Sequence, residues 1–216
     1  MKAYLLIYNL VSLAAWSYLL YECIDNLMVY YDSNLINRVT SYYVTHLYHD
    51  FPHKSLAYIQ LINSSFEIFH ILIGIVKAPL LTTILQSMAR LGITVGVCML
   101  VPSSPGNYNI VNFSGLSLAW SITEIIRYGF YVIKSITENP PYLALWLRYT
   151  LFIILYPMGL VSEFQVVYKT IPYSPNKPLK YFFIWALFAY IPGFLVLYSY
   201  MFKQRKKILN KKQKIL

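Results

Sequence analysis

Charge is scarce in this sequence. Aspartate, glutamate, lysine and arginine make up 12% of 216 residues, while 58% are hydrophobic. A soluble domain carries about 25% charged and roughly 45–50% apolar residues. The shortage excludes a disordered chain and almost any water-soluble enzyme, and leaves a membrane-embedded class. Cysteine is scarce too. Cys23 and Cys98 both sit in apolar runs, too few for a disulfide scaffold and without metal-type spacing, so packing is their expected role. Acidic groups are few, eight against 18 Lys and Arg, which gives a net charge of +10. Seven of the 18 cations fall in the last 14 residues, from Lys203 to Lys214. A basic run directly behind a hydrophobic segment marks topology and meets anionic lipid headgroups. No basic run is interleaved with exposed aromatics, so nucleic acid is not an expected partner.

Long apolar stretches are what the sequence has. A membrane span needs about 20 apolar residues. Six such stretches are present, over residues 3–24, 55–76, 80–101, 112–133, 143–168 and 181–202. The expected fold is therefore all-α, a polytopic membrane bundle of about six transmembrane helices, with one domain over 1–202 and a basic cytosolic tail over 203–216. The first stretch is too long for a signal-peptide core and lacks a small-residue cleavage site, so it stays as a span. Proline and polar residues mark the joints at Lys77-Ala-Pro79, Pro102-Ser-Ser-Pro105, Asn139-Pro-Pro141 and Pro172-Tyr-Ser-Pro175. The one long connection is Asp25–Lys54. A basic tail on the cytosolic side and an even number of spans put both termini in the cytosol. The other loops do not add to this, because their basic residues are spread over both sides. The ending Lys212-Gln-Lys214-Ile-Leu216 resembles a dilysine retrieval signal, which implies an endoplasmic reticulum address; a solvated basic tail is the alternative.

Charge inside a span costs roughly 2.5–3.5 kcal/mol per residue at the centre, so each case needs a reason. Glu67, Arg90, Glu124, Arg127, Arg148 and Glu163 are such cases. Three acids and three bases could neutralise one another. Glu124–Arg127 and Glu67–His70 are each three apart, within pairing reach on a helix, and buried pairs that fix register are the plainer reading. The fifth stretch differs. Tyr156 and Glu163 are seven apart, about 10.5 Å along a helix and nearly eclipsed, and Glu163 leans back toward Tyr156. Between them Pro157 removes a backbone donor and crowds the Ile153 carbonyl, and Gly159 thins the same turn. A phenol and a carboxylate on one kinked face make a plausible cavity wall. Tyrosine can donate a proton, and a carboxylate in apolar surroundings is a stronger base. His46, His49, Asp50 and His53 form a cluster that could bind zinc or iron on one helix face, but an interfacial hydrogen-bonding patch is the plainer reading. No metal is assigned.

Four blocks carry a resemblance. They are Tyr8-Asn-Leu-Val-Ser-Leu-Ala-Ala-Trp-Ser-Tyr18, Phe66-Glu-Ile-Phe-His70 through Gln86-Ser-Met-Ala-Arg90, Trp120-Ser-Ile-Thr-Glu-Ile-Ile-Arg-Tyr128, and Leu147-Arg-Tyr-Thr150 through Tyr156-Pro-Met-Gly-Leu-Val-Ser-Glu163. In order and spacing the chain resembles the very-long-chain 3-hydroxyacyl-CoA dehydratases, also called protein tyrosine phosphatase-like proteins. Phosphatase chemistry is excluded, because neither cysteine is followed six positions later by an arginine to hold phosphate against a thiolate. The resemblance implies a multi-span endoplasmic reticulum protein of fatty acid elongation, a long-chain 3-hydroxyacyl-CoA substrate, no cofactor, and a catalytic Tyr and Glu landing on Tyr156 and Glu163. Membrane lipid and other elongation enzymes are the implied partners. Dehydration needs a base, an acid for the leaving oxygen, and donors for an enolate-like oxygen. Glu163 is the expected base and Tyr156 the acid, with the reverse assignment open. Arg148, Lys77 and Lys134 are candidates for the CoA phosphates, with Glu124, Arg127 and Arg90 as supporting groups. The rival readings are a non-catalytic scaffold of an elongation complex and a small transporter. A transporter predicts inverted repeats with interrupted helices, and the sequence contains none.

Overall fold

The computed structural model describes residues 2–35, 53–76, 80–137 and 139–213. Among these residues every regular element is helical. Helix α1 is Lys2–Leu35, α2 is His53–Leu72, and α3 is Leu80–Leu91, which widens into a π-helical stretch over Gly92–Met99. After a short turn of helix, α4 (Pro105–Tyr108), come α5 (Ile110–Ile136), α6 (Tyr142–Thr150), α7 (Phe152–Thr170) and α8 (Lys177–Gln213). The helices fall on the six apolar stretches, with α6 and α7 sharing the fifth. They are divided at Leu151, where the Ile154 amide reaches back only three residues, to the Leu151 carbonyl. The basic C-terminal run is not a separate strand of coil: α8 carries it as far as Gln213, and Leu209 packs with Phe130 and Leu145. The widened stretch reads Gly-Ile-Thr-Val-Gly-Val-Cys-Met, rich in glycine and β-branched residues that hold an α-helix poorly.

Among the described residues three helical segments are long and apolar enough to cross a membrane: Lys2–Met28, Tyr142–Tyr173 and Lys177–Asn210. Their apolar side chains turn outward. On α8, Phe188 is 74% exposed, and Trp185, Ile191 and Val196 are exposed beside it. A surface this apolar suits lipid and not water. Helices α2, α3 and α5 carry Glu67, Arg90, Glu124 and Arg127, which pair with one another.

Helix α5 is the centre of the bundle, with α1 on one side and α7 on the other. Trp16 and Leu19 of α1, Phe113, Leu116 and Trp120 of α5, and Val166 of α7 are buried together, with Ile93 and Val97 from the π-helical stretch and Phe183 from α8. Small residues let α5 and α7 approach closely, as membrane helices commonly do. A Cβ on Gly159 would stand 3.3 Å from the Ala119 Cβ, and one on Gly115 would stand 2.5 Å from the Ser162 hydroxyl oxygen.

The buried charges form one chain of contacts. Glu124, 2% exposed, sits between two guanidinium groups: Arg90 of α3 donates to one carboxylate oxygen and Arg127 Nε to the other at 2.6 Å. Arg127 also pairs with Glu67 of α2, and the Tyr128 hydroxyl donates to Glu67 at 2.7 Å. Two acids and two bases thus cancel while tying α2, α3 and α5 together. The Glu124–Arg127 pair forms as its spacing requires. The Glu67–His70 pair does not: Glu67 is taken by Arg127 and Tyr128, and His70 Nε2 lies 2.7 Å from the Tyr4 hydroxyl of α1. An arginine and a phenol on the neighbouring helix outcompete an imidazole on the same one, because a charged partner gives the stronger bond. Removing one member of a buried ion network leaves an uncompensated charge and costs about 3–5 kcal/mol. Glu124→Ala should therefore lower the thermal midpoint of the detergent-solubilised protein far more than Lys134→Ala, a change at an exposed residue.

Candidate functional site

Helix α7 brings Tyr156 and Glu163 to one face, as their seven-residue spacing requires. The hydrogen bond that Pro157 removes between them is replaced from outside the helix. Pro157 cannot donate to the Ile153 carbonyl, and the Tyr198 hydroxyl of α8 donates to it instead, at 3.1 Å. Tyr198 also stacks against Tyr156 at 6.0 Å between ring centroids, and Phe194 stacks on Tyr156 at 5.3 Å. The phenol of Tyr156 is thereby held flat against α8, with its position set by two rings one turn apart.

Glu163 is held from two other helices. Trp120 of α5 donates its indole N–H to Glu163 Oε1 at 2.7 Å, and the Tyr190 hydroxyl of α8 faces the same carboxyl. The Arg90 guanidinium lies 5.0 Å from the Trp120 ring centroid, a cation–π contact. Through Trp120 the buried ion network therefore reaches the carboxyl that shares a face with Tyr156. The result is a carboxylate with one oxygen engaged by a fixed donor, a phenol on the same helix face, and a wall of aromatic rings. Such a pair can accept a proton at one point and supply one nearby.

The other sequence candidates fall in three places. Arg90, Glu124 and Arg127 belong to the ion network and act on the pair through contacts. Arg148 of α6 is half-buried: it donates to the Tyr131 hydroxyl at 2.9 Å and lies over the rings of Phe130, Tyr131 and Tyr149. Among the described residues no carboxylate pairs with it, and an aromatic cage holds it instead. Lys134 is exposed in the last turn of α5. Lys77 lies outside the described residues, as do His46, His49 and Asp50. The sequence reading missed Trp120, Tyr190 and Tyr198 as site residues. Trp120 stands one turn before Glu124, and an indole N–H in a membrane interior needs an acceptor. Twenty-two tyrosines hide which two face the site.

Tyr198→Phe keeps both ring stacks but leaves the Ile153 carbonyl without its donor. The expected cost is about 1–3 kcal/mol, read as a lower thermal midpoint than wild type; an unchanged midpoint would show that the helix around Pro157 does not depend on this bond.

Comparison with known proteins comes to the same family. Residues 61–211 match the family described as protein tyrosine phosphatase-like protein, PTPLA. The chain is 35% identical over 226 aligned positions to human very-long-chain (3R)-3-hydroxyacyl-CoA dehydratase 2, covering 96% of this chain and 81% of the human protein. It is 32% identical to the Arabidopsis thaliana dehydratase PASTICCINO 2, covering 99% and 96% of the two chains. It is 40% identical over 152 positions to a probable dehydratase of the same description from Schizosaccharomyces pombe, covering 66% of this chain and 68% of the yeast one. No solved structure matches significantly. The chain belongs to the protein tyrosine phosphatase-like, or PTPLA, family.

Proposed function

We propose that this protein dehydrates long-chain 3-hydroxyacyl-CoA to trans-2-enoyl-CoA in very-long-chain fatty acid elongation. The observation that carries the reading is the Glu163 carboxylate, fixed by the Trp120 N–H on the helix face that also bears Tyr156, in a chain whose relatives are named as dehydratases of this substrate. Glu163 takes the proton from C2. Tyr156 delivers a proton to the hydroxyl on C3, the C3–O bond breaks, and the C2–H electron pair becomes the C2–C3 double bond as water leaves. Negative charge that builds on the thioester oxygen during this step needs a donor close to the Tyr156–Glu163 face. The residues call for neither a metal nor an organic cofactor in this sequence of steps.

The reading extends to placement. Six membrane spans correspond to α1, α2, α3 with its π-helical extension, α5, α6 with α7, and α8. Helix α2 has 20 residues, about 30 Å of helix, which is the thickness of a hydrocarbon core. Charge is the obstacle for α2, α3 and α5, and the neutral Glu67–Arg127–Glu124–Arg90 network removes most of it. Both termini then lie in the cytosol and the protein resides in the endoplasmic reticulum membrane, where other elongation enzymes are its partners.

Turnover by purified protein in lipid nanodiscs, followed as enoyl-CoA by mass spectrometry, tests the chemistry. Glu163→Gln and Tyr156→Phe should each lower kcat by about 10²–10⁴-fold with the thermal midpoint preserved. Full activity in both folded variants would sink the assignment, and a scaffold role would replace it.

A further inference from the structure

A second feature of α8 is not used by the Tyr156–Glu163 face. Near its C-terminal end a cavity of about 470 Å³ opens between α6 and α8, bordered by Tyr142 and Trp146 on one side and by Lys203, Arg205, Lys206 and Asn210 on the other. Small-molecule sites commonly measure roughly 300–1,000 Å³. Lys203, Lys206 and Asn210 are three and seven residues apart, so they share one face of the helix. Arg205 is oriented by the Thr150 hydroxyl, which accepts from its Nε at 3.3 Å. Among the described residues no carboxylate borders the cavity, and no Asp or Glu follows Glu163 anywhere in the sequence. Three cations therefore meet beside two large aromatic rings, and no described acidic group borders the cavity to neutralise them. That combination suits a phosphorylated ligand with a flat base: lysine and arginine pair with phosphate oxygens, and an aromatic ring stacks on a purine.

The position of the cavity narrows the ligand further. The α7–α8 seam carries a run of ring contacts, stacked among Phe194, Tyr156 and Tyr198 and edge-to-face from Tyr198 to Phe152 and Phe202, and Phe202 borders the cavity. From Tyr198 to Lys206 is eight residues, about 12 Å of helix. A thioester held at Tyr156 and Glu163 with its carrier lying along this seam would place the carrier's phosphates among Lys203, Arg205 and Lys206. We propose that this cavity receives the adenosine phosphate end of the acyl-CoA, an assignment that rests on the dehydratase reading. It takes the role that the sequence suggested for Lys77, Lys134 and Arg148, of which Arg148 is occupied by its aromatic cage. An anionic lipid headgroup offers the same phosphate chemistry, and the test separates the two sources.

The probe is adenosine 3′,5′-bisphosphate, titrated into the full chain in nanodiscs of neutral lipid, alongside KM values for a long-chain 3-hydroxyacyl-CoA and the matching pantetheine thioester. Wild type should bind the bisphosphate, and Lys203→Gln/Lys206→Gln should weaken that binding about tenfold or more. The same variant should raise the ratio of the CoA-ester KM to the pantetheine-ester KM by a similar factor. Trp146→Ala should weaken the bisphosphate and leave inorganic pyrophosphate binding little changed. Absence of bisphosphate binding by wild type overturns the assignment, as does an equal KM change for both thioesters. Retained bisphosphate affinity in a lysine variant that no longer prefers phosphatidylserine-containing nanodiscs also overturns it, and places a lipid headgroup in the cavity. The two readings fail separately. Lysine-dependent bisphosphate binding without turnover removes the dehydratase chemistry alone, while turnover with no lysine dependence removes the cavity assignment alone.

Discussion

Everything in the bundle interior is arranged around one carboxylate. Glu124 is almost wholly buried and lies between Arg90 and Arg127, so its removal strands Arg90 and leaves Glu67 as the one carboxylate on Arg127, in a medium that barely screens charge. Electrostatics of this kind contribute to specificity more dependably than to stability, since each ion is stripped of water before it is paired. In this molecule the pairing fixes which faces of α2, α3 and α5 meet. Helix α5 then presents Phe113 and Trp16's other neighbours to α1 and its small residues to α7. The apolar packing follows the register that the charges set.

The ion network also connects the scaffold to the chemistry. Arg90 lies over Trp120, and the Trp120 N–H holds Glu163. A carboxylate in an apolar interior has few polar groups to orient it, and an indole is a donor that carries no charge of its own. On the opposite flank, α8 stacks Phe194 and Tyr198 on Tyr156 and supplies the hydroxyl that satisfies the carbonyl freed by Pro157. The carbonyl that Pro157 leaves without its helical donor is thus satisfied from a neighbouring helix, as a proline inside a membrane helix requires.

Much of this was legible in the residues. Composition dictated the all-α membrane class, the six apolar stretches became helices, and the three-residue spacing of Glu124 and Arg127 placed them in contact. Local spacing failed at Glu67, where His70 was the nearest candidate and Arg127, sixty positions away, is the partner. It failed for the same reason at Trp120, Tyr190 and Tyr198. A contact between helices depends on their relative rotation, which periodicity within one segment does not encode. The basic end was readable as charge but not as shape: only the continuation of α8 to Gln213 turns a run of lysines into one side of a cavity.

The central claim is that Glu163 handles the proton at C2, and the reverse reaction tests it most directly. Hydration of a long-chain trans-2-enoyl-CoA in deuterated water adds one deuteron at C2, which mass spectrometry of the 3-hydroxyacyl product reads after exchangeable positions are washed out. The account predicts one deuterium incorporated by wild type at its turnover rate, and incorporation slowed at least a hundredfold, a figure on the order of a lost general base, in Glu163→Gln. Deuterium entering C2 at the wild-type rate in that variant would contradict it.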